Sequence, residues 1–120
     1  MTLVGVLSAL LPVLQKADPS WCVFGSAAKA LNGENIVPHD VDIMVSHDGA
    51  VMLEHLLAQY RIYDMQLESG KWLSRRSRYR IDGVELDVSG SLMRLVDGKW
   101  VEACPEHVKE TDGIRFTTDF

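Results

Sequence analysis

A small α/β (α+β) fold, one mixed β-sheet with helices packed on one side, is the class this sequence predicts. Three observations lead there. The first half alternates helix-like segments with short apolar runs, the second half alternates apolar and polar residues like strands, and the connections are short. At 120 residues the chain is expected to form a single domain spanning 1–120, long enough for a real core and too short for two.

Residues 2–16 predict an amphipathic helix with Leu3, Leu7, Leu10, Leu11 and Leu14 on one face, kinked or restarted at Pro12. The segment is apolar enough to suggest a signal peptide. It has no basic n-region, however, and Pro12 interrupts a run too short to span a membrane. Asp18-Pro19-Ser20 ends the helix. Residues 21–24 predict a short buried strand, and Gly25-Ser26 turns the chain into a second helix favoured by Ala27, Ala28, Ala30 and Leu31 and stopped by Asn32-Gly33.

Residues 34–39 predict a loop. Val41, Ile43 and Val45 then alternate with Asp40, Asp42 and Met44, the period of a strand. Ser46-His47-Asp48 caps a third helix carrying the apolar Val51, Met52, Leu56 and Leu57. After Tyr60 the pattern turns to strands. Asp82-Gly83 is a two-residue turn between two alternating runs, which sets Tyr79 opposite Leu86 and Ile81 opposite Val84 on the apolar side. On the polar side Arg80 faces Glu85 and Arg78 faces Asp87. The tail predicts short strands around Trp100-Val101 and Ile114–Phe116, with a helical turn over residues 105–109.

Composition bounds the partners. An apolar fraction of 47% and a charged fraction of 24% are ordinary for a soluble globular chain. The net charge of -5 excludes a general attraction to nucleic acid or an anionic membrane, so contact with a polyanion needs a local basic patch or metal ions. Cys22 and Cys104 form neither a short-range metal pair nor a disulfide framework, the expectation for a reducing cytoplasm.

Asp40 and Asp42 project from one face of their strand and repel unless solvent, a proton or a cation separates them. Carboxylate oxygens suit Mg²⁺ or Mn²⁺. Asp87 lies on the polar face of the later hairpin, and adjacency of the two strands would bring three carboxylates together. That is enough for two cations about 4 Å apart, an arrangement used for in-line displacement at phosphorus. Gly25-Ser26, at a strand-to-helix turn, lets backbone N–H groups approach the outer phosphates of a nucleoside triphosphate.

Each feature also has a plainer reading. Asp40 and Asp42 also suit a solvated sheet face, Asp87 an ordinary cross-strand pair with Arg78, and Gly25-Ser26 an unremarkable turn and cap. Glu85 shares the face of Asp87. Arg76, Arg78 and Arg80 form a row that suits guiding a triphosphate or acceptor phosphate, or neutralising Glu85 and Asp87.

Taken together, Phe24-Gly25-Ser26, His39-Asp40-Val41-Asp42-Ile43 and Leu86-Asp87-Val88 resemble the signature of the polymerase-β-like nucleotidyltransferase superfamily, in its minimal prokaryotic form. The resemblance covers about the first three quarters of the chain and implies the nucleotidyltransferase fold. It implies that Asp40, Asp42 and Asp87 bind the catalytic Mg²⁺ or Mn²⁺, that Asp87 helps deprotonate the attacking hydroxyl, and that Gly25 and Ser26 bind the β- and γ-phosphates. The activity implied is transfer of a nucleoside monophosphate from a nucleoside triphosphate to an acceptor hydroxyl, with release of pyrophosphate. Larger members recognise base and acceptor with an added helical domain, for which this chain has no room. A small helical partner protein or self-association would supply that surface, and a partner-binding, antitoxin-like module without catalysis is the alternative.

Overall fold

The computed structural model describes residues 2–63 and 70–120. Helix α1 (Leu3–Ala17) leads into β1 (Cys22–Phe24), α2 (Gly25–Leu31), β2 (Asp40–Val45) and α3 (His47–Leu56). Six strands follow: β3 (Arg61–Ile62), β4 (Trp72–Ile81), β5 (Val84–Val96), β6 (Lys99–Glu102), β7 (Lys109–Thr111) and β8 (Ile114–Phe116). They form one mixed sheet in the order β3-β4-β5-β2-β1-β8-β7, with β6 alongside the far part of β5. The β2–β5 and β1–β8 pairs are parallel and the others antiparallel.

All three helices lie on one face. Val6, Leu7, Leu10 and Leu14 of α1 pack with Ala27 and Ala28 of α2 and Ala50 and Leu53 of α3 against Val23, Val41, Ile43, Leu86 and Val88 of the sheet. A fully buried Leu side chain contributes about 1.5–3 kcal/mol, so this single layer supplies most of the driving force for folding. Helix α3 sits close because β5 offers Gly90: a Cβ there would lie 2.5 Å from the Cβ of Ala50. Among the described residues the opposite face holds a second, small cluster, Cys22, Met44, Leu92 and Ala103, flanked by Phe24, Trp72 and Phe120.

The hairpin register follows the Asp82-Gly83 turn as predicted, with Arg78 opposite Asp87, Tyr79 opposite Leu86, Arg80 opposite Glu85 and Ile81 opposite Val84. Two local expectations change. Helix α1 continues through Pro12 as one helix and does not restart there. Pro12 removes the bond to Ser8, but both residues are exposed, so water can satisfy the freed carbonyl. The helical turn expected over 105–109 is absent. The N–H groups of Glu106 and His107 donate to Asp119 Oδ2 at 2.7 and 2.9 Å instead, and the chain extends into β7. So short a segment has no apolar face for a helix to bury. Among the described residues no helix is long and apolar enough to cross a membrane.

Candidate active site

The face of the sheet away from the helices carries the site, and strand register builds it. In β2, Asp40 and Asp42 are two residues apart and point the same way, while Val41 and Ile43 enter the core. The parallel pairing of β2 with β5 sets Asp42 beside Asp87 and Asp40 beside Glu85. Carboxylate oxygens of Asp40, Asp42 and Asp87 thereby come within 4.8 Å of one another. Glu85, which shares the face, is engaged elsewhere: Arg80 and Arg78 donate to it at 2.6 and 2.8 Å.

The third side of the site comes from β1. Its antiparallel register sets Phe24 beside Asp42, so the chain enters α2 at Gly25 against that carboxylate. A Cβ on Gly25 would lie 2.8 Å from Asp42 Oδ2, and its φ of +69° is one that side chains disfavour. Glycine is required there on both counts. No side chain caps the amides of α2, and Ser26 is its second residue.

Crowding of like charge has an electrostatic consequence. Burial, then the charges of Asp40 and Asp87, push the Asp42 carboxyl up to about 7, against the opposing pull of Arg76 and Arg78. A cluster of three hard oxygen donors, one of them reluctant to ionise, gains from a small divalent cation. The donor set therefore fits Mg²⁺ or Mn²⁺.

The arginine row lies beside the carboxylates, but its pairing departs from the directly opposite arrangement. Arg76 grips Asp87, with Nε donating to Oδ1 at 3.3 Å and Nη2 to Oδ2 at 2.5 Å. Arg78, opposite Asp87 in the ladder, leans to Glu85 and leaves its Nε 3.9 Å from Asp87. Long side chains reach diagonal neighbours across a twisted sheet as readily as opposite ones, which is the signal a strictly opposite pairing overlooks. Two cavities lie along β2. One of about 270 Å³ opens beside Pro38, His39, Asp40 and Gly83, and another of about 380 Å³ lies past Met44, between Ser46, Ser91 and Cys104.

A family model for aminoglycoside-2''-adenylyltransferases matches residues 6–118. The chain belongs to this family. It is a nucleotidyltransferase of the polymerase-β-like kind, and the match extends through the tail that the sequence motifs leave uncovered. The nucleotidyltransferase also shares its fold with the crystal structure of a Thermotoga maritima protein provisionally described as a nucleotidyltransferase. The two are 22% identical over 99% of this chain and 81% of the other, with a TM-score of 0.73. No curated protein matches the chain.

Proposed function

We propose that this nucleotidyltransferase transfers a nucleoside monophosphate from a nucleoside triphosphate to an acceptor hydroxyl, using Asp40, Asp42 and Asp87 to hold Mg²⁺ or Mn²⁺. The observation that carries the reading is the meeting of three carboxylates within 4.8 Å against the Gly25 turn. When bound, the cation supplies charge neutralisation at the phosphates and the leaving pyrophosphate. The remaining work falls to the chain. Gly25 and Ser26 present backbone N–H groups and a hydroxyl to the β- and γ-phosphates. Asp87 takes the proton of the acceptor hydroxyl as its oxygen bonds to the α-phosphorus and the bond to the bridging oxygen breaks. Positioning and electrostatics supply most of the acceleration. The family description points to ATP as donor and an amino-sugar hydroxyl as acceptor.

Calorimetric titration with ATP, CTP, GTP and UTP, with and without Mg²⁺, tests the site. Binding that requires Mg²⁺ and disappears in Asp40→Asn supports it; Mg²⁺-independent binding, or unchanged binding in that variant, refutes it. One observation favours the partner-dependent reading alongside catalysis: β6 is exposed along its whole length, with Leu73, Leu95, Trp100 and Val101 exposed around it. That surface suits a small helical partner protein or a second copy of the chain, and the mass of the purified protein in solution checks self-association.

A further inference from the structure

The carboxylate cluster already has a cation against it. Arg76 projects from β4 one same-face position beyond Arg78, and its guanidinium closes a two-bond fork on Asp87. Both side chains are largely withdrawn from solvent, at 16% and 8% exposure. Planar forks of this kind are the strong form of ion pair, and burial leaves them poorly screened. A divalent cation that takes Asp87 as a ligand competes with Arg76, whose fork engages both oxygens of that carboxylate. It would also stand as a second positive charge beside the guanidinium. Asp40 and Asp42, among the described residues, have no such ion pair with an arginine.

Resting on the metal-dependent reading above, we propose that Arg76 is a positioning residue that withholds Asp87 from divalent cations until a phosphate-bearing substrate arrives. A cation entering the cluster meets Asp40 and Asp42 first, because those oxygens are not held by a guanidinium. Asp87 joins only when Arg76 lets go. A phosphoryl group that is to be transferred must lie against the carboxylates, and hence within reach of a guanidinium bonded to one of them. Its oxygens offer the same fork geometry that Asp87 offered, so the arginine exchanges one anion for another without being left unpaired. Arg78, which donates to Glu85 at 2.8 Å and keeps its Nε 3.9 Å from Asp87, holds a second positive charge near that carboxylate without hydrogen-bonding it there. Completion of the metal site is thereby coupled to arrival of the substrate.

Mn²⁺ binding in the absence of nucleotide, followed by the electron paramagnetic resonance signal of the free ion, tests this. Arg76→Ala binds Mn²⁺ more tightly than the wild type, by about tenfold, whereas a merely structural role would weaken binding. Arg80→Ala, which removes an exposed charge paired with Glu85, leaves the affinity within about twofold and controls for general electrostatics. In an Asp87→Asn background the Arg76 substitution has no effect on Mn²⁺, the signature of a coupling that runs through this pair. At saturating Mg²⁺, Arg76→Ala weakens ATP binding by about tenfold. Circular dichroism monitors folding, and Arg76→Lys, which keeps the charge but cannot close the fork, serves if the alanine variant does not fold. Equal or weaker Mn²⁺ binding in a folded Arg76 variant overturns the inference and leaves the metal site standing. Mn²⁺ bound by none of the proteins overturns both.

Discussion

Replacing Asp42 by Asn should make the metal-free protein more stable at alkaline pH. In the folded state its carboxyl titrates at about 7 instead of 3.8, raised by burial, Asp40 and Asp87. Between those values the folded form holds a proton that the unfolded form has released. Stability therefore falls as pH rises through that window, is highest with respect to this group below about 4, and stops falling above about 7. A displacement from 3.8 to about 7 corresponds to about 4 kcal/mol at 1.36 kcal/mol per pH unit. Because the side chain is open to solvent on one side, screening reduces this to about 2–4 kcal/mol. Urea denaturation of wild type and Asp42→Asn in EDTA, at pH 5 and pH 8, isolates the effect as a difference of differences. The wild type should lose about 1.5–3 kcal/mol more than the variant between these conditions, because about two units of the window, from pH 5 to about 7, lie between them. Adding Mg²⁺ at pH 8 should restore the wild type and leave the variant unchanged. A variant no more stable than wild type at pH 8 would refute the electrostatic account of the cluster.

Other substitutions probe the supports of the site. Gly25→Ala sets a Cβ against Asp42 in a backbone conformation that L-residues resist; it should cost about 1–2 kcal/mol in urea denaturation and abolish nucleotide binding in calorimetry. Gly90→Ala brings a methyl into that of Ala50, and thermal denaturation should show a loss of about 1–3 kcal/mol that Ala50→Gly in the same chain partly restores. Asp18→Ala removes the acceptor for the Ser46 and Ser20 N–H groups, both at 2.8 Å, and should cost about 1–3 kcal/mol of stability while nucleotide affinity in the folded variant holds.

The local elements could be written from the sequence because their causes are local. Thr2 accepts from the Gly5 N–H and Ser46 from the Gly49 N–H, each at 3.0 Å, so two helix starts are decided by a residue and its near neighbour. Asp82 and Gly83 both take positive φ, which the two-residue turn demands, and the turn in its turn sets the whole β4–β5 register. The same-face projection of Asp40 and Asp42 is a property of any strand. In α3 the apolar residues alone do not say which face is buried: Ala50, Leu53 and Leu57 are, whereas Met52 and Leu56 remain exposed, because Gly90 admits Ala50 as the contact point. The irregular stretch before β7 was likewise beyond local reasoning, since its amides are bound by Asp119 from the far end of the tail.

What the sequence by itself determined is the set of strands, turns and carboxylates, together with the side of each strand that each residue takes. Tertiary structure decided which of these meet. Only the parallel docking of β2 on β5 brings Asp87 beside Asp42, and only the insertion of β1 next to β2 sets Gly25 against the same carboxylate. The assignment of Arg76, rather than Arg78, to Asp87 is decided later still, by side chains reaching diagonally across a twisted sheet. The division follows from the range of the forces. Periodicity and turn chemistry act over a few residues and are written in order along the chain. Strand pairing joins residues 45 positions apart, as with Asp42 and Asp87, through backbone hydrogen bonds that are the same for every residue type. Burial of the helix-covered face selects that pairing, and the charges on the other face then arrange themselves on the lattice it provides.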